Sequence, residues 1–60
     1  MRDPVKTICY GKEKIWDDRQ EAMAFFLEAM SATEGSEQAR YTSIYLQLQE
    51  GNAVCSDAEV

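Results

Sequence analysis

Val5-Lys6-Thr7-Ile8-Cys9-Tyr10-Gly11-Lys12-Glu13-Lys14-Ile15-Trp16, closed by Asp17-Asp18, is the stretch that decides the fold. Its first six residues are rich in β-branched and aromatic side chains. They alternate, with Lys6, Ile8 and Tyr10 on one face and Val5, Thr7 and Cys9 on the other. Gly11-Lys12 fits a two-residue turn with glycine at the first central position. Residues 13–16 then form the return strand. That register pairs Tyr10 with Glu13 and Ile8 with Ile15, and sets Thr7 against Trp16 on the opposite face. A lone hairpin is marginal in water, so the rest of the chain has to cover it.

Asp17-Asp18 ends the strand and starts a helix. Asp18 as N-cap, with Glu21 three residues on, resembles a capping box. The helix is expected from Arg19 to Ser31, and Ala22, Phe25, Phe26, Ala29 and Met30 recur at helical spacing. Met23 and Leu27 widen that apolar arc to more than half the circumference. Thr33-Glu34-Gly35-Ser36 breaks the chain, and Ser36 is a good cap for a second helix from Glu37 to Glu50. Gly51 follows as its stop. Tyr41, Ile44, Tyr45 and Leu48 make its apolar stripe, while Leu46 lies nearly opposite among polar neighbours. The competing reading of residues 40–48 is a strand, from their β propensity; the caps favour the helix. A short third strand is expected at Ala53-Val54-Cys55, then a frayed tail over 56–60. The fold class is therefore α+β: an N-terminal β-hairpin, two antiparallel helices across a short connection, and a possible short C-terminal strand.

Sixty residues hold one small domain, with an ordered core over about 5–55. Hydrophobic residues make up 45% of the chain, which is too apolar for a disordered segment. The 6 basic and 11 acidic side chains leave a net charge of −5, which opposes direct contact with nucleic acid or an anionic membrane and suits a basic partner. The N-terminal residues lack the apolar core of a signal peptide. The longest apolar run, Ala22 to Leu27, is too short to span a bilayer. A cytoplasmic location is expected, with Cys9 and Cys55 as reduced thiols.

Little in the chain can do chemistry. There is no histidine, so no Cys-His pair exists, and two thiols cannot complete a zinc site. The acidic cluster Asp17, Asp18 and Glu21 is the best candidate for a cation or an acidic contact. Helix capping accounts for all three without either. Gly11 and Gly35 belong to turns rather than to a phosphate-binding motif. No cofactor, no metal and no enzymatic activity are expected. Arg19 and Arg40 are expected to pair with acids at a helix–hairpin junction or to contact a partner. The wide apolar arc of the first helix and the outward Leu46 leave surface that one hairpin and one helix cannot cover, and such surface marks an interface. Met23, Leu27 and Leu46 are the candidate interface residues of a homodimer or higher oligomer. A second class of function is an acidic inhibitor that occupies the nucleic-acid site of a host or phage defence protein.

Asp18-Arg19-Gln20-Glu21-Ala22-Met23-Ala24-Phe25-Phe26, the stretch from Glu34 to Leu48, and Gly51 with Cys55-Ser56-Asp57 carry a resemblance. They resemble small uncharacterised proteins encoded by gut-dwelling Gram-positive anaerobes, often near mobile elements. The similarity covers roughly residues 13–57. It implies a bacterial or phage setting inside the cell and an accessory role. It carries no functional residues with it, because those proteins have no established activity.

Overall fold

A computed structural model describes residues 2–57. The elements are β1 (Val5–Cys9), β2 (Lys12–Trp16), α1 (Arg19–Ala32), α2 (Ser36–Glu50) and β3 (Val54–Ser56). The fold is α+β, and residues 40–48 are helical.

The hairpin turns one residue earlier than Gly11-Lys12. Tyr10 and Gly11 are its central pair, with φ of 54° and 76°. Two left-handed residues are what a type I′ turn requires, and its twist matches that of the flanking strands. The register is therefore Cys9 with Lys12, Thr7 with Lys14 and Val5 with Trp16. Lys6 and Ile8 oppose Ile15 and Glu13 on the other face. The shift is two places in the pairing, so every side chain keeps the face that alternation gave it.

β3 lies beside β1 in parallel, with Lys6 opposite Val54, Thr7 opposite Cys55 and Ile8 opposite Ser56. The sheet is therefore mixed, in the order β2-β1-β3. Ser56 and Asp57 are not frayed. Ser56 closes the strand, and Asp57 is buried at 6% exposure. Residues 58–60 of the expected tail lie outside the described residues.

The core is small. Val5, Ala22, Phe26, Ile44, Leu48 and Cys55 are buried, and Cys9, Trp16, Met23, Tyr41 and Tyr45 pack around them. Both helices thus bring their apolar stripes to the inner face of the sheet. Thr7 is buried among these residues and stays satisfied, because its Oγ1 accepts a 3.0 Å hydrogen bond from Trp16 Nε1. That leaves the sheet's central strand without a buried orphan at the one polar position it turns inward.

Both helices are bounded by local chemistry. The Asp18 carboxylate accepts the Gln20 N–H at 3.3 Å and caps α1. α2 begins at Ser36 itself, with Gly35 as cap at φ 72°, a conformation that suits glycine. At its other end Gly51 is left-handed, and the N–H groups of Gly51 and Asn52 bond the carbonyls of Leu48 and Gln47. This is the Schellman arrangement. Leu48 O, which has a second lone pair, faces the start of α1 together with Gly51 O and Asn52 O. There Arg19 Nη1 donates to Leu48 O at 2.7 Å and Asn52 O at 2.9 Å, Nη2 donates to Gly51 O at 3.2 Å, and Nε pairs with Asp3. A cation sits where the helix dipole is negative. Gln38, in the first turns of α2, donates to Met30 O near the end of α1.

Candidate functional site

β3 carries Asp57 to the tip of the hairpin. Its carboxylate accepts the Tyr10 N–H and Arg40 Nη1, each at 2.9 Å. Arg40 also stacks over the Tyr10 ring, 4.7 Å from its centroid, and the Tyr10 hydroxyl donates to Glu37 at 3.3 Å. These bonds hold a tyrosine in a left-handed turn position that would otherwise favour asparagine or glycine. The Tyr10 N–H, helped by Arg40, holds the Asp57 carboxyl below its ordinary range. Burial, with Asp57 next, pushes the Cys9 thiol up, and burial does the same to Cys55. Neither thiol is activated as a nucleophile. A carboxylate held ionised by two donors is a poor proton carrier near neutral pH. The cluster fastens the C-terminal strand to the hairpin.

Both cysteines are free thiols even though β3 lies beside the first strand. The register explains this. Cys55 faces Thr7, not Cys9, so the two sulfurs occupy different rungs of the ladder.

Beside the tip lies an aromatic groove of about 240 Å³, lined by Trp16, Phe25, Phe26 and Tyr41 with Cys9 at its floor. Successive rings pack at centroid distances of 5.3 Å (Trp16–Phe25), 5.0 Å (Phe25–Phe26) and 6.0 Å (Phe26–Tyr41). Lys12 and Lys14 stand on the groove wall, with Lys14 Nζ 4.5 Å from the centre of the Trp16 ring. The ion pairs among the described residues are Lys6–Glu13, Arg19–Asp3 and Arg40–Asp57, and none of them engages either lysine.

The outer face of the sheet is mixed, with Ile8, Ile15 and Val54 around the Lys6–Glu13 ion pair. Val54 and Ile15 flank Lys6 in register, and Ile8 lies one rung along. Ile15 is 74% exposed and Val54 56%. Val54 and Leu46 share a shallow hollow of about 500 Å³ with Ser43, Gln47, Glu50 and Asn52. The strip thus runs from α2 across the sheet to β2. Within it the Gln47 amide works as a piece of strand. Its Nε2 donates to Ser56 O at 2.9 Å and its Oε1 accepts the Ser56 N–H at 3.1 Å. That pair blunts the free edge of β3.

Comparison with family models, with curated proteins and with solved structures gave no match.

The residues singled out from sequence are dispersed. Asp17 and Glu21 are exposed at the start of α1, and Asp18 is its cap. Among the described residues no three carboxylates or thiols converge on a place for a metal ion. Met23 packs against the core. Leu27 and Leu46 are each about half exposed, and Leu46 shares its hollow with Val54 rather than with Leu27. Arg19 and Arg40 do pair with acids where helix meets hairpin. Sequence reasoning passed over the groove lysines, Ile15, Val54 and Asp57. Ile15 alone carried a signal, since alternation puts it on the face opposite Trp16. No helix among the described residues is long and apolar enough to cross a membrane.

Proposed function

We propose that this chain is a non-enzymatic protein-interaction module that works as a homo-oligomer inside a bacterial cell, in the accessory setting of a mobile element. The observation that carries the reading is the strip Leu46–Val54–Ile8–Ile15. Three of its four residues are more than half exposed, beside a core of six buried apolar residues among the described ones. A standard interface takes about 800 Å² from each partner, about a fifth of the 4078 Å² surface here. We read the helices as antiparallel, supported by the Arg19 contacts at one end of the pair and the Gln38 contact at the other. The nucleic-acid-mimic reading has less support, because Asp3, Glu13 and Asp57 are each engaged by a cation of the chain itself.

Light scattering after size exclusion, with and without reductant, tests this reading. A dimer or higher oligomer that ignores reductant and falls to monomer in Ile15→Glu and Leu46→Glu is the expected result. A monomer at high micromolar concentration refutes it.

A further inference from the structure

The two edges of the sheet are treated differently. On β3 the Gln47 amide occupies both main-chain groups of Ser56. On β2 no strand pairs with the outer edge among the described residues. In a two-residue hairpin the closing pair, here Cys9 and Lys12, exchanges both main-chain bonds, and the pattern alternates from there. Glu13 and Ile15 therefore turn their N–H and C=O groups to the open edge. On the same strand Lys12, Lys14 and Trp16 line the groove.

Groove and edge select the same kind of occupant. At about 240 Å³ the groove falls below the size of sites that enclose small molecules, which run from about 300 to 1,000 Å³. It suits one or two side chains. Its walls are aromatic, and its charges are two lysines without an ion pair among the described residues, in a chain of net charge −5. Local charge opposite in sign to the rest of the molecule points to an acidic visitor.

Resting on the reading of this chain as an interaction module, we propose that the β2 edge and its groove dock an extended acidic segment of a second protein. The segment adds as a fourth strand antiparallel to β2, with one apolar side chain laid against the Trp16 and Phe25 rings and two carboxylates against Lys14 and Lys12. Strand addition supplies affinity through the main chain, and alternate side chains supply specificity. The period of two fixes the pattern of the segment: apolar, any, acidic, any, acidic. A second copy of this chain fits less well. The two-fold pairing of β2 edges that overlaps all five residues, with both helix layers on one side, sets Lys14 against Lys14 of the copy, a like-charge contact. Single-stranded nucleic acid would also meet aromatics and lysines, but the net charge repels its phosphates.

The probe is a capped peptide, acetyl-Thr-Phe-Thr-Glu-Thr-Glu-Thr-amide, read by fluorescence of the chain's single tryptophan, Trp16. Saturable binding is expected at or below millimolar peptide. Lys12→Glu with Lys14→Glu should weaken it at least about tenfold by reversing two charge contacts. Both lysines are exposed, so the variant keeps its fold, which circular dichroism checks. Lys12→Glu alone serves as a second variant that leaves the Lys14–Trp16 contact in place. N-methylation of the third and fifth peptide residues, which face Ile15 and Glu13, should abolish binding. The proposal is overturned by no Trp16 response at millimolar peptide, by equal binding in the double variant, or by equal binding of the methylated peptide. Tighter binding of oligothymidylate, or a Trp16 change that follows protein concentration alone, overturns it too. Light scattering separates this from the self-association reading. A monomer that binds the peptide sinks only that reading, and an oligomer that ignores the peptide sinks only this one.

Discussion

Arg19→Met should cost this protein a large share of its stability. Methionine keeps most of the apolar stem and removes the guanidinium, so the change isolates the hydrogen bonds and the charge. The bond to Leu48 O is part-buried, while those to Gly51 O and Asn52 O are exposed and water can replace them. A part-buried bond from a charged donor is worth about 1.5 kcal/mol. A cation on the negative end of a helix adds about 0.5 kcal/mol. Together they give about 2 kcal/mol, against the ~3–5 kcal/mol that a core of this size supplies. For a domain this small that corresponds to a fall in Tm of roughly 10 °C. The assay is urea unfolding followed both by far-ultraviolet circular dichroism and by Trp16 emission. Arg19→Lys is the informative companion. Lysine keeps the charge at the helix end but cannot fork to three carbonyls, so it should recover only part of the loss. Asp3→Ala should change little, because Asp3 is half exposed and surface pairs are weak. A loss below about 0.5 kcal/mol for Arg19→Met, the level of a surface substitution, would refute the reasoning. So would full recovery by lysine.

Asp57 gives a pH prediction. Its carboxyl is lowered in the fold from an ordinary value of 3.8, chiefly by the Tyr10 N–H. A lowered group stabilises the fold above the unfolded value and loses that contribution as pH falls through the folded one. Wild type should therefore lose stability more steeply than Asp57→Asn as pH falls below the ordinary value of 3.8; parallel curves there would remove the argument. Gln47→Leu should remove the two side-chain bonds to the Ser56 main chain at a cost of about 1–2 kcal/mol, two modest hydrogen bonds partly replaced by water. Amide exchange at Ser56 should quicken while that at Ile44 changes only in step with global stability. Unchanged protection at Ser56 would show that the side-chain amide does not hold the strand.

What sequence made legible was local. The Asp18 cap, the Gly51 stop and the apolar stripe through Ile44 and Leu48 each lie within a few residues of the element they define, and both helices follow from them. The hairpin was legible, but its turn was placed one residue late. Gly11 suits either central position, and the choice rests on whether Tyr10 accepts a left-handed backbone. That is decided by Asp57, 47 residues away. The parallel pairing of β3 with β1 had no local signature either. Asp57 therefore looked like tail, and Val54 could not be assigned to a face. The arginines were suspected of pairing near the hairpin, but their partners come from segments 16 to 17 residues apart in the chain. The groove lysines were invisible for a related reason. Lys12 reads as a turn residue and Lys14 as one of the return strand, and neither gains a site until α1 sets Phe25 and Phe26 beside the same face of β2.

The Gln47 amide also bears on what happens when such molecules crowd together. A sheet with two bare edges is a template at both ends, and each added chain offers the next one a place to stick, which is how fibrils grow. Here one end of the row is closed by a side chain of the molecule itself, on a strand of only three residues. Edge-to-edge pairing is confined to β2. When a second copy engages that edge, both outer strands of the joined sheet are β3 strands carrying the Gln47 amide, and the row ends after a single addition. The chain can hold an open edge ready for use without becoming a seed for polymerisation.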